Sequence, residues 1–517
     1  MKLFCLVLAA VMAAAELPGQ DLRYNNGAEP ESLDPLRITG IVELDIHRAL
    51  FEGLTMNDPS TAKGVPGLAE GWTVSPDGRT FTFRLRRAVW SDETPITAQT
   101  VVDSWFRTLD PRMASESTWI MLDSLEGAKA YHDGKGRQED VRIRALDAHT
   151  FQATFVSPTP YAPDMLTHWI WAVVPIHAIQ KHGDAWTRPG NFVGNGPFVL
   201  KEWKPQERLV VVKNERYWDA AHVRLRSITF LPLEDMGAGF DKFKAGEIDW
   251  QPSVDATRLD EVRACKDYHR FPAKNVHYYV LNVTRKPFDD VRVRKALSMA
   301  LDRTALVQQV LKGDQYPATG FVPAFGSYRT AKGNGFDPAR ARQLLAEAGH
   351  AGGKDFPRFQ IIYNTNPNHQ RVAEWVRQQW KVVLGIEADP VALDWEALCM
   401  ARQRTHDFAV ARAGWNADFP DPVNFLGRLL RTGSSENDGL YSNPKADALL
   451  DRADRMRPGP ARDQVLMQAE AIMIDQDQAL LPLFCYANRE LIDLDTWGGW
   501  HENTMGIHPW KAIYKKK

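Results

Sequence analysis

Three stretches of the sequence decide the fold: NGPFVLKEW at residues 195–203, KPFDDVRVRKALSMALDR at 286–303 and DFAVARAGWNAD at 407–418. In the second stretch, Asp290 precedes apolar residues that recur at helical spacing from Val293 to Leu301. An aspartate in this place accepts hydrogen bonds from the first free amides of a helix. The pattern predicts one helix that begins after Asp290 and stops at Gly313.

Strand and helix patterns alternate around these stretches. Period-2 or β-branched runs predict strands at Thr80–Arg86, Arg208–Lys213, Phe359–Tyr363 and Val391–Leu393. Helical spacing covers Gln370–Leu384, and a further helix is predicted between an Asp337 cap and Gly349, with Pro338 in its first turn. Alternation of this kind predicts mixed α/β domains with a ligand in a crevice at the strand ends.

Length and composition describe a large globular protein with no bulk charge. The chain has 517 residues, which is too long for one hydrophobic core and predicts two or three domains. Hydrophobic residues make up 44% and charged residues 25%, which excludes a disordered or polytopic membrane chain. The net charge of -2 gives no field that would attract nucleic acid, so no nucleic-acid partner is expected.

The first 15 residues have the pattern of a secretory signal peptide. Lys2 is followed by an uncharged, mostly apolar run that ends in the small residues Ala13–Ala15. A lipoprotein needs a cysteine just after such a run, whereas Cys5 lies inside it, so free export is favoured over lipid anchoring. A buried N-terminal helix is the other interpretation, and Pro18 and Gly19 disfavour it. We expect a periplasmic protein.

Residue patterns for enzyme chemistry are missing from the sequence. Cys265, Cys399 and Cys485 lack C-x-x-C spacing, and the histidines are spread singly, so neither a metal nor a redox motif is present. The sequence also lacks the phosphate-binding, zinc-protease, nucleophile-elbow and dinucleotide-binding motifs. Nothing supports catalysis, and no cofactor is expected.

Taken together, the three stretches resemble the family 5 solute-binding proteins, and among these the oligopeptide-binding proteins of peptide ABC importers. Segments 24–35 and 67–92 share the resemblance, which therefore covers nearly the whole chain after the signal peptide. It implies a class II periplasmic-binding-protein fold, the Venus-flytrap type, in which two lobes close on a ligand about a hinge. An additional small third domain is expected.

The same resemblance implies the domain boundaries. The first lobe is expected to be discontinuous, and the small domain is inserted in it. The expected ranges are 16–52, 175–273 and 488–517 for the first lobe, 53–174 for the small domain and 274–487 for the second lobe.

For a short peptide, the resemblance implies opposite charges at the two ends of the cleft. Asp418 matches the carboxylate that receives the ligand's amino terminus. Arg412, Arg402 and His369 match cations that receive its carboxylate, with Arg404 as a rival to Arg402. Arginine suits carboxylates through its fork geometry, and His369 is expected to bind one better when protonated.

Aromatic and backbone positions complete the expected site. Trp415, Trp395 and Tyr486 match residues that line side-chain pockets, although ordinary core packing is the alternative for each. Gly414, Asn416 and Ala417 are expected to pair with the ligand backbone as with an added strand, which holds a peptide irrespective of its sequence.

Three positions depart from the pattern of the family. Thr39 stands where an acidic residue is expected near the start, and Leu311 stands where a lysine is expected, with Lys312 one step on. Asn416 replaces a cysteine whose disulfide partner position lies near Lys274, so that disulfide is expected to be lost. These departures leave the preferred peptide length open.

The expected function is capture of short peptides outside the cytoplasm and delivery to a membrane ABC permease, by a monomer without turnover of its own. A family member that binds another solute, such as a nickel chelate, haem or a sugar, is the first alternative. A surface adhesin or an extracellular enzyme is the second.

Overall fold

The computed structural model describes residues 20–38, 40–113 and 115–516. The predicted signal peptide at 1–15 and the predicted site residue Thr39 lie outside the described residues. The chain forms a mixed α/β structure around one 11-stranded sheet. From one edge to the other, its strands are Ala388–Leu393, Phe359–Asn364, Val410–Asn416, Tyr268–Leu281, Leu480–Ile492, Trp250–Gln251, Asp21–Asn25, Ser227–Leu231, Arg208–Lys213 and Phe198–Lys204, with Tyr316–Pro317 paired beside Leu480–Ile492.

Two long antiparallel strands join the halves of this sheet. We call Tyr268–Leu281 the first crossing strand and Leu480–Ile492 the second crossing strand. The second lobe comprises the three strands on one side of them, and the first lobe comprises the strands on the side of Asp21–Asn25. The predicted lobe boundaries at 273/274 and 487/488 fall inside the crossing strands, which therefore form the connection between the lobes.

Smaller sheets accompany the large one. A four-stranded sheet of Ala69–Val74, Thr80–Leu85, Thr150–Thr154 and Ile143–Asp147 builds the small domain, inside the predicted range 53–174. The two-stranded sheets are Thr55–Asn57 with Gly64–Pro66, and Trp497–Gly498 with Tyr514–Lys515. The small domain shares one continuous hydrophobic core with the first lobe, and Phe419 of the second lobe joins it. Two further cores lie mainly in the second lobe, and one of them also includes Ala62, Met505 and Ile507. The exact limits of the three domains stay a prediction.

The α-helices of the described chain pack against these sheets and against one another. Their bounds are Ile41–Leu50, Ala98–Leu109, Trp119–Ser124, Ala128–His132, Ala162–Met165, Ile176–His182, Met236–Lys244, Leu259–Arg263, Val291–Met299, Arg303–Ala305, Pro338–Glu347, Pro367–Leu384, Trp395–Cys399, Val423–Leu429, Pro444–Asp454 and Pro460–Glu470.

Most of the elements predicted from the sequence are confirmed, with shifted ends. The helix after Asp337 ends at Glu347, and Gly349 follows with a φ of +96°. The predicted Gln370 helix begins three residues earlier, at Pro367, because the Asn366 side chain caps it. The strand predicted at Val391 begins at Ala388.

The single helix predicted from Asp290 to Gly313 is wrong. Asp290 does cap it, but the helix ends at Met299 and a short helix begins after Asp302, whose carboxylate accepts from Ala305 N at 2.9 Å. The break is held by the buried guanidinium of Arg303, which donates to the carbonyl oxygens of Ser298 and Pro482. Helical spacing of apolar residues continues across the break, so the sequence pattern alone does not show it.

Candidate functional site

One strand of the second lobe carries most of the predicted site. Val410–Asn416 pairs antiparallel with the first crossing strand, with Asn416 opposite Asn275 and Arg412 opposite Tyr279. On its other edge, Phe359–Asn364 pairs only with Val410 and Ala411. Among the described residues, no strand pairs with that edge over residues 412–416. This open edge is suited to an added strand, as predicted for Gly414, Asn416 and Ala417.

Asp418 follows this strand and is held by a residue that the sequence reasoning missed. Asn424 Nδ2 donates to Asp418 Oδ2 at 3.1 Å, while Asn424 Oδ1 accepts from Asp418 N at 3.2 Å and from Trp415 Nε1 at 2.8 Å. Burial raises the pKa of Asp418, and the Asn424 hydrogen bond and nearby Lys274 oppose that rise. A polar residue in the apolar run VNFL at 423–426 was the only signal for Asn424. Asn424 fixes one oxygen of the carboxylate.

Lys274 lies at the position expected for the lost disulfide. Its carbonyl accepts from Ala417 N at 3.4 Å, and Asn275 faces Asn416 in register. Burial, with a contribution from Arg48, lowers the pKa of Lys274 to about 8, and Asp418 acts in the opposite direction. The cysteines of the described chain, Cys265, Cys399 and Cys485, are all free thiols.

Arg412 lies near the start of the strand, at the end opposite Asp418. Its Nη1 donates to Asn364 Oδ1 at 3.3 Å, and its Nε is buried without a hydrogen-bond partner in the described structure. None of the described carboxylates forms an ion pair with it. A Cβ added at Gly414 would lie 3.0 Å from Arg412 Nη2, so glycine at 414 leaves room for the guanidinium. Arg412 therefore keeps an uncompensated positive charge.

His369 lies beside Arg412, in the first turn of Pro367–Leu384. The side chain of Asn366 accepts from His369 N at 3.4 Å, and His369 Nδ1 lies 3.4 Å from Asn364 O. Burial and the nearby Arg412 charge lower the pKa of His369 to about 4. Without ligand, this imidazole is therefore neutral at pH 7, and it offers a neutral hydrogen-bonding group in place of the cation that was expected.

A second histidine in this region, His277, was missed. It lies on the first crossing strand, fully buried, with its ring 4.6 Å from Phe484 in a stacked geometry and 5.5 Å from the His369 ring. Burial and the neighbouring Arg412 hold its pKa well below the usual range. A single histidine in the apolar run VHYYVL at 276–281 gave no functional signal.

Arg402 is buried and already paired. Its Nε lies 2.5 Å from Asp438 Oδ2, and its Nη1 donates to Arg412 O at 3.2 Å. Burial raises the pKa of Asp438 to about 6, and the Arg402 charge opposes that rise. Asp438 offsets the charge of Arg402, and the hydrogen bond to Arg412 O lets Arg402 support the backbone at Arg412. Its contact with a ligand carboxylate stays a prediction, as does that of Arg404, which is exposed.

The three predicted aromatic residues lie in different environments. Trp415 is half-buried on the strand, and Tyr486 lies on the second crossing strand with its ring 5.2 Å from Phe484. Trp395 begins the helix Trp395–Cys399 and is 57% exposed, so core packing does not account for it. Its contact with ligand stays a prediction.

A cavity of about 540 Å³ opens between the lobes at this cationic end. The first lobe contributes Thr257 and Leu259 to its wall, and the crossing strands contribute His277 and Tyr486. The second lobe contributes cationic and apolar side chains, among them Lys312, Leu311, His369 and Arg371. Lys312 thus supplies an ammonium near the position where the expected lysine is replaced by Leu311.

The described residues hold neither a cluster of metal ligands nor a helix that could span a membrane. Over 20–38, 40–113 and 115–516, no three His, Cys, Asp or Glu side chains are grouped as a metal site would require. In the same ranges, no helix has the length and apolar character needed to cross a membrane.

Comparisons with known proteins place the chain among solute-binding proteins. The family model of bacterial extracellular solute-binding proteins, family 5 Middle, matches residues 63–437. The chain is 34% identical over 510 residues to the periplasmic oligopeptide-binding protein OppA of Escherichia coli, covering 94% of this chain and 93% of that protein. It is 35% identical over 500 residues to the periplasmic murein peptide-binding protein MppA of the same species, covering 93% and 91%.

Solved structures are similar over nearly the full length. An unliganded open form of MppA matches with a TM-score of 0.89 at 33% identity, covering 96% of this chain and 98% of that chain. Haemophilus influenzae OppA in complex with RPPGFSPFR matches with a TM-score of 0.69 at 30% identity, covering 97% and 99%. At similar identity, the open form fits better than the peptide complex, so the lobes are arranged as in an open binding protein. By family match and by fold, the chain belongs to the bacterial extracellular solute-binding proteins of family 5, with the two-lobed periplasmic-binding-protein architecture.

Proposed function

We propose that this protein is a periplasmic receptor that captures short free peptides between its lobes and delivers them to a membrane ABC permease. It acts as a monomer, without a cofactor and without turnover of its own. The names of the relatives support peptide as the ligand class. The proposal is carried by one arrangement, an open strand edge with the Asp418 carboxylate beyond one end and the unpaired Arg412 guanidinium within it.

This arrangement complements the groups that every short peptide shares. The ligand's ammonium meets Asp418, its carboxylate meets Arg412 with His369 beside it, and its amides meet the strand edge over residues 412–416. Each of these groups loses water when the lobes close and therefore needs a partner. Because none of these contacts involves a ligand side chain, we expect broad sequence tolerance.

The proposed reaction is binding and release only. Asp418 is held by Asn424 and lies near Lys274, an arrangement that orients the carboxylate for binding. The lobes close on the peptide because the closed state makes contacts with it that the open state does not make. Recognition of that closed state by the permease would then couple capture to transport.

A thermal-shift screen tests the proposal. A ligand that binds only the folded state raises the melting temperature, so free tri- and tetrapeptides are expected to raise it. N-acetylated peptides, which lack the ammonium, should raise it much less. Deoxycholate belongs in the screen, because one relative, 33% identical over 502 residues, is named as a probable deoxycholate-binding protein. If deoxycholate shifts the melting temperature and free peptides do not, the proposed ligand class is wrong.

A further inference from the structure

The residues that follow Asp418 are held by the small domain through Lys63. Lys63 Nζ donates to Asp164 Oδ2 at 3.1 Å within the small domain and to Pro420 O at 2.5 Å in the second lobe. It also lies 3.8 Å from Asp421 Oδ2. These two carboxylates outweigh the effect of burial and raise the pKa of Lys63, so it is a cation at neutral pH. One ammonium thus ties two domains together, two residues beyond Asp418.

Neighbouring contacts strengthen this junction, which is formed by Lys63 and Asp164 of the small domain and residues 419–421 of the second lobe. Asp421 forms a two-pronged ion pair with Arg462 at 2.6 and 3.1 Å, and both side chains are almost fully buried. The ring of Phe419 stacks on Tyr161 of the small domain at 5.3 Å, with 4° between the planes. Residues 419–421 are therefore fixed by side chains from both domains, and Asp418 is the residue at which they join the open strand edge.

The junction is complete although the lobes are arranged as in an open binding protein. The position of the Asp418 turn is therefore set before a ligand arrives and before the lobes close. A site that is ordered in advance binds more tightly, because less freedom is lost on association. Lys63 is the charged side chain that, together with Tyr161, makes this order depend on the small domain.

We infer that Lys63 is a positioning residue for recognition of the ligand's amino terminus: it anchors the Pro420 backbone to the small domain and thereby holds Asp418 in its binding geometry. The role rests on the proposed capture of free peptides. Lys63 itself does not touch the ligand, and its charge is already committed to Asp164 and Asp421. Its effect should therefore appear in the discrimination between free and N-blocked peptides.

Calorimetric titration with trialanine and N-acetyl-trialanine tests this role. The Lys63→Met variant is expected to lose about tenfold in affinity for trialanine, a typical cost for misplacing one charge-assisted hydrogen bond. Its affinity for N-acetyl-trialanine should change little, so the ratio between the two ligands falls. Lys63→Arg, which keeps the donors, should restore the ratio. Lys129→Met, an exposed lysine of the small domain, is the matched control and should behave as the wild type.

A double-mutant cycle separates positioning from general stability. In an Asp418→Asn background, Lys63→Met should cause no further loss for trialanine, because the group it positions is gone. Additive losses would overturn the inference, as would a Lys63→Met variant that keeps the wild-type ratio. If the wild type itself does not discriminate the two ligands, the proposed function fails instead. Should Lys63→Met fail to fold, Asp164→Asn, which removes one partner of Lys63, must lower the ratio or the inference is wrong.

Discussion

The two ends of the cleft differ in how far they are assembled in the open state. At the Asp418 end, the small domain and the second lobe already touch, and Asn424 fixes one carboxylate oxygen. At the other end, a cavity of about 540 Å³ with His277 and His369 in its wall opens between the lobes. The neighbouring Arg412 guanidinium has a buried nitrogen without a partner in the described structure. In the proposed binding mode, the amino terminus of the peptide therefore meets a preformed group, whereas its carboxylate meets a group that closure completes.

The largest effect is expected from Asp418→Asn. The amide has the size of the carboxylate but lacks its charge, so a free peptide loses a charge-assisted hydrogen bond of about 1.5 to 3 kcal/mol. Affinity for trialanine should fall by about one to two orders of magnitude by calorimetry. Asp407→Asn, an exposed aspartate of the same segment paired with Arg285, is the control and should leave affinity unchanged. Undiminished binding by the Asp418→Asn variant would mean that Asp418 does not receive the amino terminus of the peptide.

Arg412→Gln should have the next largest effect, at the opposite end. We expect about a tenfold loss for a free tripeptide, and little loss for the same peptide with an amidated C-terminus, which offers no carboxylate to Arg412. Measuring both ligands by calorimetry assigns the effect to the carboxylate. Arg404→Gln is the matched comparison in the same segment, and we expect it to behave as the wild type. A loss with Arg404→Gln instead would make Arg404 the ligand's partner.

Asn424→Ala tests whether the amino end is preformed. The change removes the hydrogen bond to Asp418 Oδ2 and leaves the part-buried Trp415 Nε1 and Asp418 N without their acceptor. We expect a destabilisation of about 1 to 3 kcal/mol, measured by urea unfolding, because buried polar groups lose their partner. Affinity for free peptide should fall less than with Asp418→Asn. Wild-type affinity in this variant would show that Asp418 needs no orientation.

The sequence predicted the secondary-structure elements and the candidate site residues better than it predicted which residues hold them in place. Capping and spacing predicted the helix after Asp337, and the motif at 407–418 singled out Arg412, which lies on one strand, and Asp418, which follows that strand. It could not find Lys63, because Lys63 and Pro420 are 357 residues apart and meet only through the fold. Asn424 was missed for a different reason, since one polar residue in a helical apolar run has no functional pattern.

Charges were harder to predict than positions, because burial and distant partners decide them. Arg402 was expected as a ligand cation, but Asp438 lies against it and offsets its charge. His369 was expected to bind a carboxylate better when protonated, and in the ligand-free protein burial beside Arg412 lowers its pKa to about 4. Both effects depend on the packing of the second lobe, which residue types in sequence order do not specify.

The smallest expected effect concerns the protonation of His369 in the ligand-free protein, at the end of the cleft that is proposed to bind the ligand's carboxylate. The pKa of His369 is about 4 in the folded state, below the ordinary histidine value of about 6.5. Between these values the unfolded chain binds more protons than the folded chain, so His369 lowers the free energy of unfolding as the pH falls. His369→Gln removes this contribution, so the fall in melting temperature from pH 7 to pH 4 should be smaller in the variant than in the wild type. Equal falls would mean that His369 keeps an ordinary histidine pKa in the folded chain, and that burial beside Arg412 does not hold it neutral.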